Sequence, residues 1–277
     1  MKREAPSLPI LMYHGIRRSY CDELPPGWSL KHAIDAAAFT HQLDLIGARG
    51  SRSLKLSDLD LPGLPERSLL ITFDDGHSSD HQIAAPELQG RGLSAAFFIT
   101  WSYLGRPGYL SRGQVRELRA QSFEIGSHGL SHKRLTQMGP AELWREALDS
   151  KRRLEDLIGE SIANFAIPSG SYNDLVVQTL WAAGYRRIMT SDFGLANPVH
   201  SVMHRMGVTA EVSAREFRTF LTASPAAAAR RRLVMGMARR LWEAIGRVRT
   251  APAALAGLPA RRRDAIEQPK PGPVKPA

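Results

Sequence analysis

Apolar and polar positions along most of the chain fall into two alternating kinds of segment. Short runs rich in branched and aromatic residues occur at 9–14, 68–73, 93–100, 163–167, 185–190 and 201–208, with a briefer one at Phe123 and Ile125. Each has the length of a strand and is bounded by glycine, proline or small polar residues. The run at 93–100 is almost continuously apolar, the pattern of a strand covered on both faces. Between these runs the spacing turns helical. Residues 35–49 carry Ala38, Phe39, Leu43, Leu45 and Ile46 along one stripe, with Asp35 as cap and Gly50 as stop. Further helices are predicted over 80–91, 111–121 and 174–183. The longest of this region, 140–158, has Leu143, Ala147, Leu154 and Ile158 on one side. Residues 17–30, with Pro25-Pro26-Gly27, read as loop. Strands that alternate with helices pair in parallel through right-handed crossovers. The class is α/β, with about seven parallel strands.

Chemistry gathers where strands end. The strand over 68–73 runs into Thr72-Phe73-Asp74-Asp75-Gly76. Adjacent strand side chains face opposite ways, so both carboxylates serve one site only where the strand gives way to a loop. Gly76, tolerant of positive φ, is expected to supply that break. Two carboxylates held together repel unless a cation or a proton sits between them. Alone, the pentapeptide reads equally well as an Asp-Asp-Gly surface turn. The second part of the pattern is Glu124-Ile125-Gly126-Ser127-His128-Gly129-Leu130-Ser131-His132. On a helical turn, residues four apart share a face, so His128 and His132 are expected to reach one ion. Two histidines with one carboxylate, Asp75 or Asp74, form the ligand set that catalytic zinc sites favour, with one position open to water or substrate. His77 and His81 have the same spacing beside the two aspartates and stand as a rival metal pair.

On these two motifs the chain, from residue 9 to residue 208, resembles the polysaccharide deacetylases: carbohydrate esterase family four, the nodulation-factor deacetylase homology domain. The resemblance implies a distorted, incomplete (β/α) barrel. That agrees with chemical residues at strand ends, where such barrels carry their active sites. It implies Asp74 as catalytic base and Asp75, His128 and His132 as ligands of one divalent ion, zinc first, with cobalt, nickel or manganese as alternatives. It also implies hydrolysis of an N-acetyl group on an amino sugar, in a glycan or glycan precursor. A third motif is represented by Phe165-Ala166-Ile167-Pro168-Ser169-Gly170-Ser171-Tyr172-Asn173. By the same resemblance the Ser169 N–H is an oxyanion donor. Without the first two motifs this is a plain Pro-Ser-Gly turn after a strand.

Two departures stand out. Many family members begin the third motif with an arginine that orients the base, whereas this chain has Ala166, as does a branch with Phe-Ala-x-Pro-x-Gly. Arg205, from the last strand, is the expected replacement. The histidine that family members use to protonate the leaving amine has no clean match. His204 is the first candidate and His200 the second, while Asp192 loosely matches the fourth motif and reads equally as a loop cap. His14, in a Tyr-His pair closing the first strand, is read either as pocket lining or as a plain loop histidine.

Composition changes the picture in three places. The single cysteine, Cys21, excludes a disulfide framework and a cysteine-rich metal site. No window is apolar enough for a membrane span, and Met1-Lys2-Arg3-Glu4-Ala5-Pro6 lacks the apolar core of a secretory signal, so a cytoplasmic location is expected. The net charge of +10 lies wholly after residue 214, where basic residues number 14 and acidic ones 4. Val234, Met237, Leu241, Ile245 and Val248 fall on one face of a predicted helix, with Arg231, Arg239 and Arg249 off it. Such a basic amphipathic helix either lies on an anionic membrane surface, here the inner face, or packs on the barrel. No nucleic-acid partner is expected, because no reader motif accompanies the charge. The expected organisation is a catalytic domain over 1–214, a basic helical extension over 215–249 and a disordered Pro/Arg/Lys tail over 250–277. Alternatives to the N-deacetylase are a carbohydrate-binding pseudoenzyme of the same fold and a hydrolase of an O-acetyl ester or non-sugar amide.

Overall fold

The structure is a computed structural model in which residues 8–19, 24–61, 63–224 and 233 are described. The chain divides into two compact units, Met1–Val234 and Met235–Ala277, and all described residues belong to the first. The expected tail over 250–277, and the predicted helix over 227–249 apart from Leu233, lie outside the described residues.

Strand β1 (Ile10–Tyr13) is followed by the two-residue strands β2 (Ile16–Arg17), β3 (Ile34–Asp35) and β4 (Arg52–Ser53). After them come β5 (Ser68–Phe73), β6 (Ala96–Ile99), β7 (Glu124–Ser127), β8 (Asn164–Ala166), β9 (Arg187–Phe193) and β10 (Val202–Gly207). Seven of these form a parallel ring in the order β1-β10-β9-β8-β7-β6-β5, closed by pairing of β1 with β5 from Ile10 opposite Leu70 to Tyr13 opposite Phe73. The ring is closed and has one strand fewer than the eight of the regular form, the incomplete (β/α) barrel of about seven parallel strands that was expected. β4 adds to the start of β5, and β2 pairs with β3 on either side of the stretch read as loop, 17–30.

Helices α1 (Ala36–Ala48), α2 (Ala85–Gln89), α3 (Arg112–Ala120), α4 (Pro140–Ile158), α5 (Asp174–Ala182) and α6 (Ala214–Leu221) complete the body. Their starts follow capping chemistry: Asp35 accepts from Ala37 N, Ser111 from Gln114 N and Asn173 from Val176 N. Gly159, at φ +74°, ends α4 in the left-handed conformation that glycine adopts without strain. The helix expected over 80–91 instead opens with a π turn, Asp80–Ala84, closed by Ala85 N donating to Asp80 O. Pro86, next in the chain, has no N–H to continue an α ladder from that point. In α6, Phe217, Phe220 and Leu221 are buried in the main core, and the Phe220 ring lies edge-on to Phe193 with centroids 5.4 Å apart. The folded body therefore runs past residue 214.

Alternation along the strands sorts side chains into two cores. Ile10, Leu70, Ala96, Phe98, Ala166, Met189 and Met203 share one buried cluster, filling the barrel. Leu11, Tyr13, Leu69, Ile71, Phe73, Phe97, Ile99, Phe165 and Ile188 belong to the other, between strands and helices. On β5 the interior parity is Leu70, Thr72 and next Asp74; on β10 it is Met203 and next Arg205.

Candidate active site and metal centre

That parity delivers a carboxylate and a guanidinium to the same end of the barrel. Asp74 is 1% exposed and Arg205 fully buried. Arg205 Nη1 donates to Asp74 Oδ1 at 2.7 Å and Nη2 to Oδ2 at 2.6 Å, a two-pronged pair. The guanidinium is held in turn: Nε donates to the Thr190 carbonyl at 2.9 Å and Nη1 to Thr72 Oγ1 at 3.2 Å, above the Phe98 ring. Burial pushes the Asp74 carboxyl up, but the charge of Arg205, joined by His128, the Arg205 hydrogen bonds and His14, outweighs it and holds the group below the usual carboxylate range. Ala166, where the resemblance leads one to expect arginine, is buried in the barrel interior, and the charge reaches Asp74 from β10 instead.

Asp75 leaves the strand by its own backbone. Its φ is +78°, followed by Gly76 at +80°, so the break starts one residue before the glycine that was expected to make it. This swings the Asp75 carboxylate toward β7, where Oδ1 lies 3.3 Å from His128 Nε2 and 3.0 Å from His132 Nε2. One ligand atom from each of Asp75, His128 and His132 falls within 4.8 Å of the others. His128 is 2% exposed, and its Nδ1 donates to the Ala166 carbonyl at 2.8 Å. With the proton on Nδ1, the Nε2 lone pair points at Asp75. Asp75 Oδ1 is itself buried with no well-aligned donor. A buried acceptor facing imidazole lone pairs calls for a cation between them, and a mixed nitrogen and oxygen donor set of this kind suits a divalent ion.

His128 and His132 do not meet through a helical turn. They belong to an irregular loop after β7, in which Gly129 has φ +80° and His132 φ +61°. The loop is shaped by Glu146 of α4, a residue overlooked in the motif reading. Its Oε1 accepts from Leu130 N at 2.8 Å and Ser131 N at 2.6 Å, and both carboxylate oxygens take Ser131 Oγ. A Cβ on Gly129 would lie 2.9 Å from that Oε1, so glycine is required both for its φ and for the space. A sequence signal existed: Glu146 and Ser150 fall on the buried stripe of α4 with Leu143, Ala147 and Leu154, and a charge on such a stripe needs partners.

The rival pair is split. His81 turns to Glu117, 2.6 Å away, while His77, 3% exposed, places Nε2 3.3 Å from Asp75 Oδ2. Trp28 meets the His77 ring edge-on and Tyr109 stacks on it, and Tyr103 continues the wall to His132, with ring centroids 5.7 Å apart. Trp28, Tyr103 and Tyr109 are half-buried. Burial, reinforced by Asp75, pushes the Tyr109 hydroxyl up to about 12, so it stays protonated. Across the site His14 stacks on His32, centroids 4.6 Å apart; burial pulls His14 down to about 4 against the opposing charges of Asp75 and Asp74.

Ser169 lies in the turn after β8 with φ +58°, followed by Gly170 at φ +64°; a Cβ on Gly170 would come 2.8 Å from Ser191 Cβ. His204 precedes Arg205 on β10, where the register with β9 shifts between Met203 and Arg205. Its Nδ1 is 3.2 Å from Thr190 Oγ1 and 3.9 Å from Asp192 Oδ2, and Asp192 also accepts from the Tyr172 hydroxyl at 2.7 Å. His200 is exposed in the turn before β10.

Residues 62–188 match the family model for polysaccharide deacetylase. YxkH of Bacillus subtilis, which carries a polysaccharide deacetylase name, is 27% identical over 229 residues, 80% of this chain and 78% of that protein. The peptidoglycan-N-acetylglucosamine deacetylase of Bacillus cereus is 29% identical over 127 residues, 46% of this chain and 57% of its own length. Among solved structures, the deacetylase PplD of Streptococcus pyogenes in complex with acetate shares the fold with a TM-score of 0.70 at 23% identity, covering 79% of this chain and 99% of PplD.

Proposed function

We infer that this chain, which belongs to the polysaccharide deacetylase family, is a metal-dependent hydrolase that removes N-acetyl groups from an amino-sugar-containing glycan or glycan precursor. The observation that carries the reading is the juxtaposition of two unlike carboxylates. Asp74 is tied to Arg205 by both oxygens, while Asp75 turns to two imidazoles. We read the first as the group that takes a proton and the second as the group that binds a cation.

Asp75, His128 and His132 would hold the ion, which we assign as zinc. When bound, a divalent ion there supplies Lewis acidity toward the acetyl carbonyl and lowers the pKa of a coordinated water from ~16 toward ~7. The rest is the work of the chain. Asp74, kept ionised by Arg205, accepts the proton that water loses as its oxygen bonds to the acetyl carbon. The Ser169 N–H stands as donor to the oxygen on which negative charge develops. His204, with Asp192 behind it, returns a proton to the nitrogen as the carbon–nitrogen bond breaks, giving acetate and a free amine. Trp28, Tyr103 and Tyr109 offer faces on which the apolar side of a sugar ring can stack, consistent with the N-acetylglucosamine in the name of the Bacillus cereus relative. For location we propose the cytoplasm, at the inner face of the membrane through residues 227–249.

The test is metal content and acetate release measured together on a panel of acetylated amino-sugar oligomers, for wild type and Asp74→Asn. One divalent ion in both proteins with acetate from wild type alone is the expected result. An equally active Asp74→Asn protein would overturn the assignment of the base, and bound metal without acetate from any oligomer would overturn the substrate class.

A further inference from the structure

We propose that His77 is a positioning residue for the metal centre: its Nε2–H holds the second oxygen of Asp75, so that the aspartate meets the ion through one oxygen only. The proposal rests on the reading of Asp75, His128 and His132 as the ligand set. The two oxygens of Asp75 have separate surroundings. Oδ1 faces His128 and His132, whereas Oδ2 faces His77 at 3.3 Å. His77 is not a member of the cluster whose ligand atoms all lie within 4.8 Å of one another, so it stands behind the ligand rather than beside it. Its Nδ1 is buried without a hydrogen-bond partner. The tautomer with its proton on Nε2 leaves only a lone pair at Nδ1 and puts a donor 3.3 Å from Oδ2.

The imidazole is held from several sides. Trp28 packs edge-on at 4.2 Å between centroids and Tyr109 stacks at 5.1 Å. Backbone bonds fix the same arrangement: Ser78 N donates to Gly108 O and Leu110 N to Gly76 O, each at 2.9 Å, making an antiparallel bridge between His77 and Tyr109. Trp28 Nε1 donates to the Gly108 carbonyl at 3.2 Å, and a Cβ on Gly108 would fall 2.2 Å from Pro25 Cβ. The loops that reach over the site therefore lock the ring that aims Asp75. An outer partner of this kind orients a metal ligand, and its loss weakens metal binding by roughly 10–100-fold.

The experiment is zinc affinity by competition with a chromogenic chelator, on the full chain, for wild type, His77→Gln, His77→Asn, His77→Ala and His81→Ala. Glutamine carries its amide nitrogen near the Nε2 position and asparagine does not, although both preserve size and polarity closely enough to fold. We expect His77→Ala and His77→Asn to bind zinc weaker by roughly 10–100-fold, His77→Gln to recover most of the loss, and His81→Ala to match wild type. Equal zinc affinity of the glutamine and asparagine proteins would overturn the proposal, as would wild-type affinity in His77→Ala. A wild-type protein that binds no zinc would instead overturn the metal-centre reading beneath it.

Discussion

Replacing Arg205 with methionine separates the two things its guanidinium does. The side chain is fully buried and gives four hydrogen bonds: two to Asp74, one to Thr72 Oγ1 and one to the Thr190 carbonyl. Methionine fills much of the same volume but leaves a buried carboxylate unpaired, which costs ~3–5 kcal/mol of stability. The catalytic cost is distinct. A charge-assisted hydrogen bond that orients the base is worth ~1.5–3 kcal/mol, which lowers kcat/KM by roughly 10- to 150-fold. Lysine at the same position keeps the charge and loses the fork, so it should fall between the two. Urea unfolding gives the first quantity and acetate release the second, and Asp74→Asn completes a cycle. With the carboxylate gone, the methionine change should lose most of its stability cost, because the uncompensated charge no longer exists. If Arg205→Met retains kcat/KM within about threefold of wild type, Arg205 does not orient the base.

Glu146→Ala should lower unfolding free energy by ~1.5–3 kcal/mol in urea titrations and weaken zinc binding, since the loop that carries His132 loses its clamp; unchanged zinc affinity would show that the loop holds its own shape. Burial raises the Glu155 carboxyl, but Lys151, the Ile162 N–H and Ser161 outweigh it and depress the group below its ordinary 4.5. A depressed folded value means the stabilisation is present above 4.5 and is lost as pH falls through the folded value. Wild type should therefore exceed Glu155→Gln in stability at neutral pH, with the gap closing in acid; parallel melting curves across pH would refute this. His204→Ala should remove the alkaline limb of the pH–rate profile seen in wild type, and an unchanged limb would exclude it as the acid. For the tail, vesicles of anionic lipid should retain the full chain but not a chain ending at Ala226; equal retention would sink the membrane proposal.

The Asp74–Arg205 pair was legible because side chains alternate along strands, a pattern that survives the register shift between Met203 and Arg205 on β10. Once β5 and β10 are recognised, Leu70, Thr72 and Asp74 share a face, as do Met203 and Arg205, and one interior face serves both. The path of the chain around Asp75 was less legible, since an aspartate with positive φ is uncommon and only Gly76 announces such a turn. His128 and His132 were rightly read as neighbours on a wrong backbone. A four-residue spacing fits a helix, but Gly129 and the Glu146 clamp make a loop that brings the same two rings together. The aromatic wall has no periodicity to betray it, because Trp28, Tyr103 and Tyr109 come from two loops whose meeting depends on tertiary packing. Pro86, plainly visible, marks the irregular start of the following helix, although nothing local says the irregularity will be a π turn.

Closure of the ring through β1 sets an order of events during synthesis. β1 leaves the ribosome before the other barrel strands, and it pairs with both β5 and β10, the last of the seven to be made. Asp75, His128 and His132 are all present once β7 and its loop have been translated, but Arg205 arrives only with β10. On the proposed assignments, a nascent chain can assemble the metal-binding corner well before Arg205 is there to aim the base. Contacts between elements so far apart in sequence are slow to form, so on the proposed mechanism hydrolysis would wait until the barrel is whole.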